Sequence, residues 1–107
     1  MTDFDHSAID ELLQSRVRLA IVAYLASAGR ADSSVLRDAI KTTDGNASVH
    51  LRKLEDAGYV AMDKSFVDRK PQTTYALTER GRQALLDYVA HLESLLPPKK
   101  PAERKRR

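Results

Sequence analysis

A chain of 107 residues with 42% apolar and 6% aromatic side chains is long enough for one domain with a modest aliphatic core. It has no cysteine, no apolar run of about 18 residues and no signal-peptide pattern, so disulfides and thiolate metal sites are excluded and we expect a cytoplasmic protein without membrane contact. The formal charge of +3 is uneven, because the last eleven residues hold six basic side chains and one acidic one, which leaves −2 for the rest.

The chain begins with a short amphipathic segment. Apolar residues recur at helical spacing within residues 5–14, which predicts a short helix with one apolar face. We expect this helix to lie away from the central core, so that its apolar face is available for a dimer. Its apolar residues are Ile9, Leu12 and Leu13.

The next two predicted elements are helices that lead into a tight turn. Ser15 precedes residues 17–25, which are apolar on nearly every side and predict a buried central helix that ends at Gly29. Asp32 or Ser33 then caps a helix with a narrow apolar stripe. A turn of three or four residues joins it to the following helix, as in a helix-turn-helix.

A third helix is predicted from Asp44, a good N-cap, to a glycine stop at Gly58. Ala47, Leu51 and Leu54 share one face and predict its buried side. The opposite face is short, polar and cationic, whereas a solvated helix more usually mixes Glu and Lys. Such a face suits the major groove of DNA, and it carries Asn46, Ser48, Val49, Arg52 and Lys53.

After Gly58 the apolar periodicity changes from 3.6 to 2, which predicts a hairpin. One strand begins at Tyr59, and a second, shorter strand covers residues 73–77. Arg69 and Lys70 lie between them, at an exposed tip. A helix, a glycine stop and a hairpin with a basic tip, in that order, describe a winged helix.

A long helix is predicted over residues 79–96, with Thr78 as its cap. Gly81 in its first turn weakens the helix by roughly 1 kcal/mol relative to alanine. Its apolar residues have the 3-4-3 spacing of a coiled-coil seam, and so small a core cannot cover so long a helix, which favours a dimer over packing within the chain. The expected dimer contacts on this helix are Leu85, Tyr88, Val89, Leu92 and Leu95.

Together the elements predict an α+β, mainly α fold: a winged helix-turn-helix with a two-stranded wing and a C-terminal dimerisation helix. Residues 1–96 form one domain, and residues 97–107, which are too charged and proline-rich to fold alone, form a disordered basic tail. The tail either solubilises the chain or attracts phosphates without sequence preference, and the two roles are compatible.

The third helix and the hairpin resemble those of winged-helix transcriptional regulators of the small type related to the MarR and ArsR groups. The most specific match covers residues 43–60, and further matches lie at 15–21 and 69–75. The resemblance implies a homodimer that binds a pseudo-palindromic operator in double-stranded DNA and represses transcription. It places the helix at 45–57 in the major groove and the wing over the adjacent backbone or minor groove.

The resemblance also implies roles for individual residues. Asn46 and Ser48 stand near the end of the helix that usually approaches the bases, whereas Arg52 and Lys53 come later and suit phosphates. Val49 replaces the polar or basic residue common in the family, so it contacts a thymine methyl or no base at all. The expected DNA contacts are Thr43, Asn46, Ser48, Val49, Arg52, Lys53 and Lys64, with Arg69 and Lys70 on the wing.

The alternative to a DNA-binding regulator is a docking module. Winged helices also serve as protein-interaction modules whose recognition face does not contact specific DNA, and the charge of −2 without the tail supports that interpretation. A DNA binder should concentrate its basic side chains on one side of the fold, with acidic side chains behind. The distribution of charge on the folded domain therefore distinguishes the two.

Metal and enzyme chemistry are not predicted. Asp87 and His91 are four residues apart on the last predicted helix, but two ligands are too few for a metal site. His50 stands at the edge of an apolar face, where we expect a packed or phosphate-contacting role rather than a pH switch. Because the chain lacks a glycine-rich phosphate loop and a serine elbow, and its histidines are scattered, we expect no enzyme activity and no cofactor. The sequence identifies no small-molecule effector.

Overall fold

The computed structural model describes residues 10–98, which fold into four α-helices, one turn of 3-10 helix and a three-stranded antiparallel sheet. The mainly helical winged helix-turn-helix predicted from the sequence is confirmed. The predicted dimer contact at Ile9 and the tail beyond Pro98 lie outside the described residues. In chain order the elements are the 3-10 helix Glu11–Gln14, α1 Arg16–Ala28, β1 Arg30–Asp32, α2 Ser33–Ala39, α3 Asp44–Asp56, β2 Val60–Val67, β3 Lys70–Leu77 and α4 Glu79–Ser94.

The core lies where α1 packs against α3, α4 and the base of the sheet. α1 is its centre, as predicted, and Ser15 caps this helix by accepting a hydrogen bond from the amide of Arg18. α3 contributes the predicted apolar face, and its side chains there are buried. Among the described residues, the largest fully buried side chains come from the 3-10 helix, α1, α2 and α3. They are Leu13, Ile21, Val22, Leu25, Leu36 and Leu54.

The expectation that the N-terminal segment packs away from the core is wrong for Leu13, which is 0% exposed within the monomer. The segment forms a single 3-10 turn, and its backbone is held against α1 because Arg18 Nε donates to the Leu12 carbonyl at 2.6 Å. Asp10 fixes the start of the turn by accepting from the Leu12 amide and from the Tyr59 hydroxyl. Leu13 is therefore an internal contact and is not available to a partner.

α3 begins one residue earlier than predicted, because Thr43 rather than Asp44 is its N-cap. Thr43 Oγ1 accepts from the Asn46 amide at 3.1 Å, which satisfies one of the free donors of the first turn. The Asp44 carboxylate lies within the helix and instead accepts from Arg37 at 2.8 Å. Either side chain is chemically a good cap, so the sequence alone did not distinguish them.

The predicted two-stranded wing is part of a three-stranded sheet with the order β1-β3-β2. β1 has only three residues, and it pairs Ala31 with Tyr75 of β3. A strand this short carries no recognisable alternation of apolar and polar residues, so no sequence pattern predicts it. Its single buried side chain, Ala31, nevertheless joins the core and anchors the wing to the helical layer.

The hairpin turn is tighter than predicted and has two residues. Asp68 and Arg69 both adopt positive φ angles, 51° and 68°, as in the mirror-image turns whose twist matches that of antiparallel strands. β2 and β3 consequently stay paired as far as Val67 and Lys70. Lys70 thus belongs to the strand, and Arg69 occupies the turn itself.

α4 starts where predicted and ends at Ser94, two residues earlier than predicted. Thr78 caps it through the amide of Gly81, and the Thr78 hydroxyl also lies 2.6 Å from the Gly58 carbonyl. Gly81 is buried, and a Cβ at this position would overlap the Tyr59 carbonyl oxygen and stand 2.7 Å from Leu77 Cδ1. The glycine that weakens the helix is therefore required by the close approach of α4 to the sheet.

Candidate nucleic-acid interface

The side of α3 that faces away from the core is exposed. Three buried residues, Ala47, Leu51 and Leu54, fix the helix on the core through one face. Val49 on the opposite face is 54% exposed, although its side chain is apolar. The other exposed side chains there are Asn46, Ser48, Arg52, Lys53 and Asp56. The structure thus brings the predicted recognition residues of α3 together on one solvent face.

At the N-terminal end of α3, two of the predicted contacts are already hydrogen-bonded. The Thr43 hydroxyl is occupied as the N-cap. Asn46 Nδ2 donates to Thr42 Oγ1 at 3.0 Å, so the amide is held in one orientation over the first turn of the helix. A fixed amide loses little side-chain entropy when it binds, which favours its use in recognition.

Arg37 of α2 is a residue of this surface that the sequence analysis missed. Its guanidinium forms ion pairs with Asp38 at 2.9 Å and with Asp44 at 2.8 Å, and these two carboxylates, Asp38 first, raise the pKa of Arg37 above its ordinary value. The pair with Asp44 joins α2 to the start of α3 and balances a negative charge on the recognition face. Arg37 and Asp44 are separated by the interhelical turn, so no spacing rule within one helix could have found the pair.

Lys64 is a basic residue of the wing that faces a groove shared with α3. It is paired with Thr73 across the sheet, and both residues line an open groove of about 500 Å³ together with Ser48 of α3. Arg69 and Lys70 lie farther out, within the exposed outer part of the wing at residues 61–71. The structure therefore brings Lys64 beside the recognition helix and projects the two remaining basic residues away from it.

Acidic side chains are found on both sides of the domain, but they differ in their surroundings. Asp10 accepts from the Tyr59 hydroxyl, and Asp87 lines a separate groove with Tyr59, on the α4 side of the molecule. On the recognition side, Asp44 is paired with Arg37, and Asp56 shares a shallow depression with Arg52 and Lys53. The wing itself carries Asp63 and Asp68 beside its basic residues, and further exposed basic side chains lie outside α3 and the wing, namely Arg16, Arg30, Lys41, Arg80 and Arg82. The distribution of charge therefore does not by itself distinguish a DNA-binding regulator from a docking module.

His50 is packed at the edge of the core. Its Nδ1 lies 3.0 Å from Nη1 of Arg18, and because a guanidinium can only donate, Nδ1 accepts and the ring is neutral. Burial, followed by the positive charges of Arg18 and Lys53, lowers the pKa of His50 below its ordinary value. This agrees with the packed role expected from the sequence.

The predicted seam of α4 is divided between two environments. Leu85 and Tyr88 are half-buried and pack against the core of their own chain, and Leu95 is half-buried as well. Val89 and Leu92 are exposed, at 45% and 40%. Leu86 of α4 and Leu96, two residues beyond its end, are also exposed, and the sequence analysis counted neither among the dimer contacts. We call the four exposed residues, Leu86, Val89, Leu92 and Leu96, the α4 stripe.

The described residues contain no group of three or more His, Asp or Glu side chains able to hold a metal ion. Asp87 of the pair considered above accepts from Gln83 at 2.9 Å. Within residues 10–98 no helix is long and apolar enough to cross a membrane.

Comparison with known families decides the assignment of the fold. Residues 17–96, which include α1, the helix-turn-helix, the wing and all of α4, match the family described as the winged helix DNA-binding domain. The chain belongs to this family. This winged-helix protein is 32% identical over 85 residues to an uncharacterised protein of Methanocaldococcus jannaschii, an alignment that covers 79% of this chain and 92% of the relative. The family consists of DNA-binding domains and is not a class of enzymes.

Solved structures extend the likeness of the winged-helix protein to regulators. It superposes on a transcriptional regulator homologue from Pyrococcus horikoshii with a TM-score of 0.75 at 29% identity, covering 80% of this chain and 85% of that one. The zinc-responsive MarR family member ZitR of Lactococcus lactis gives a TM-score of 0.60 at 19% identity, over 74% of this chain and 54% of its own. ZitR has also been solved in complex with DNA. The winged-helix protein is therefore MarR-like in fold.

Proposed function

We propose that this winged-helix protein is a homodimeric, sequence-specific DNA-binding regulator that represses transcription by occupying a pseudo-palindromic operator. The observation that carries the proposal is the two-sided character of α3, whose apolar face is anchored in the core while its polar and cationic face is open to solvent. A helix held in this way can enter the major groove without losing any contact that stabilises the domain.

The proposed contacts follow from position on this surface. Asn46, Ser48 and Val49 lie toward the N-terminal end of α3 and are assigned to base edges. The residues assigned to the DNA backbone hold hydroxyl or basic groups that border the groove or the later turns of α3. These are Thr43, Arg52, Lys53 and Lys64, with Arg69 and Lys70 reaching the adjacent backbone or minor groove from the wing.

The α4 stripe supports the dimer. Its four apolar side chains are exposed in the monomer, and a second copy of the same helix would remove them from water in a two-fold symmetric contact. We assign the partly exposed Leu12, Leu85, Tyr88 and Leu95 to the same dimer contact, because each leaves apolar surface uncovered in the monomer. A two-fold axis would present two recognition helices to successive major grooves, which is the reason to expect a pseudo-palindromic operator.

Fluorescence anisotropy tests the proposal. The full chain and a variant ending at Leu96 are titrated against a duplex from upstream of the protein's own gene and against its scrambled counterpart, at two salt concentrations. We expect tighter binding to the upstream duplex with or without the tail, and weakening of both complexes with salt. Binding that is equal on the two duplexes and vanishes with the tail would favour the docking module.

A further inference from the structure

The wing carries an exposed aromatic side chain that the contacts proposed above do not use. Phe66 is 75% exposed, more than any other large hydrophobic side chain within the described residues 10–98. Its neighbour across the sheet, Pro71, is exposed too, so the ring stands free on both strands of the hairpin. A phenylalanine forgoes much of its favourable transfer free energy while it remains in water, and binding can recover it.

Phe66 projects from the face of the wing that is turned toward the recognition helix. Side chains alternate along β2, so Met62, Lys64 and Phe66 share one face. Met62 and Lys64 both line the groove that contains Ser48 of α3, which identifies this face as the recognition side. Val67, by the same alternation, belongs to the opposite face and provides an internal comparison.

The hairpin holds Phe66 rigidly near its tip. The two-residue turn at Asp68 and Arg69 keeps β2 and β3 paired up to Val67 and Lys70, and the pair of Phe66 with Pro71 comes next. The aromatic ring therefore stands on paired strands instead of on a loose loop. Because the backbone of the ring's strand is already ordered, inserting the ring into DNA would cost little conformational entropy.

The surroundings of the ring are suited to a nucleic acid. On its own face of β2 the charged residue is Lys64, whereas Asp63 belongs to the other face. At the tip Arg69 shares the turn with Asp68, and Lys70 pairs with Val67 and so belongs to the opposite face. An apolar partner protein seated on this face would bury Lys64 without a counter-charge. Duplex DNA supplies phosphates at the groove edges and apolar stacked bases between them, and apolar wedges of this kind enter the minor groove between base pairs.

We propose that Phe66 is a wedge that inserts between base pairs in the minor groove beside the site read by α3, and that the wing thereby bends the DNA. The inference rests on the proposed function and adds a specificity-determining residue to it. Because pyrimidine–purine steps unstack and kink more readily than others, the wedge selects such a step at the wing position without contacting any base edge through a hydrogen bond.

The test uses the full chain and a short duplex recovered from random-sequence DNA by selection with this protein, labelled with a dye at each end. Energy transfer between the dyes reports the bend, and anisotropy of one dye reports the affinity. The variants are Phe66→Ala, Phe66→Leu, which keeps an apolar wedge, and Val67→Ala, which shortens the opposite face. Thermal unfolding of each variant establishes that the domain is folded.

With Phe66→Ala we expect an affinity lowered by about tenfold, loss of the bend, and a salt dependence equal to that of the wild type, since no charge is removed. Phe66→Leu restores most of the bend, and Val67→Ala retains it. The wedge is refuted if wild-type protein binds the duplex but Phe66→Ala binds and bends it equally, or if Val67→Ala loses as much. If selection recovers no duplex at all, the proposed function fails together with the wedge.

Discussion

Nη1 of Arg18 lies 3.0 Å from Nδ1 of His50 and so joins the central helix to the recognition helix. The same guanidinium donates to the Leu12 carbonyl at 2.6 Å, so one side chain holds the N-terminal segment, α1 and α3 together. A proton on Nδ1 would remove the acceptor and place two positive charges in contact. The position of α3 is therefore sensitive to the ionisation of one ring.

We predict that the free energy of unfolding falls as the pH drops below about 6.5, the ordinary pKa of histidine. The pKa of His50 is lowered in the folded protein, so the unfolded state takes up the proton first and is favoured in acid. Above that pH both states are neutral and the effect is absent. Urea denaturation at a series of pH values measures it. His50→Gln should reduce this dependence, and His91→Gln serves as the comparison variant.

Tyr59→Phe is predicted to destabilise the domain by about 1–2 kcal/mol, because the Tyr59 hydroxyl donates to Asp10 Oδ2 at 2.6 Å and the variant leaves that oxygen without its donor. Urea denaturation of Tyr59→Phe and of the control Tyr24→Phe measures the difference. An equal loss in the two variants would mean that the contact with Asp10 contributes nothing specific.

The same contact predicts a loss of stability in alkali. Burial, together with the bond to Asp10 and its charge, raises the pKa of Tyr59 to about 12, above the unfolded value of 10.0. Because the folded pKa is the higher one, this contribution is complete below pH 10 and is lost as the pH rises toward 12. Ultraviolet absorbance of tyrosinate during a pH titration should show a late step in the wild type that is missing in Tyr59→Phe.

Gly81→Ala is predicted to lower the free energy of unfolding by about 1–3 kcal/mol, although alanine is the better helix former. The added methyl group would overlap the Tyr59 carbonyl oxygen and force α4 away from the sheet. Gly45→Ala is the matched control, since a Cβ there meets nothing within 4 Å and should stabilise α3 by a few tenths to about 1 kcal/mol. Thermal unfolding of both variants shows whether steric overlap or helix propensity determines stability at Gly81. If helix propensity alone acted, both variants would be more stable than the wild type.

Two substitutions separate phosphate contact from base reading. Arg69→Ala should weaken binding to operator and to random DNA alike and reduce the salt slope by about 1, because one charge is lost from the wing. Asn46→Ala should lower the ratio of operator to random affinity by roughly tenfold with little change in the slope. Anisotropy titrations at several salt concentrations measure both quantities. Identical losses on the two DNAs for both variants would contradict the assignment of base reading to α3.

The α4 stripe predicts the effect of a charge on assembly. Val89→Asp places a carboxylate among exposed apolar side chains and should shift the protein from dimer to monomer in sedimentation velocity, since an unpaired charge is costly to bury. Gln83→Glu adds the same charge on the polar side of α4 and should leave the sedimentation coefficient unchanged. A protein that sediments as a monomer before any substitution would remove the dimer from the proposal.

Sequence patterns were sufficient where one helix or hairpin carries its own signal. The apolar periodicity of α1 and α3 and the change of period at Gly58 located the core and the wing, since local burial decides those patterns. Contacts between segments that are distant in the sequence produce no such periodic pattern. Leu13 enters the core only because Arg18 and Tyr59 hold its segment down, and β1 exists only because β3 offers a free edge. Leu86 was overlooked because a seam drawn through Leu85 and Tyr88 follows the half of α4 that the chain buries itself.

The anchoring of α3 through three buried positions has a consequence for how such a protein can change. Ala47, Leu51 and Leu54 bury the inner face of the helix, and Asp44 and His50 add polar contacts to its neighbours, so the exposed positions between them can be exchanged at little cost in folding free energy. New target sequences can then be acquired by substitution at Ser48, Val49 or their neighbours, while the scaffold is inherited unaltered. Duplicated genes could diverge in their targets through a handful of codons.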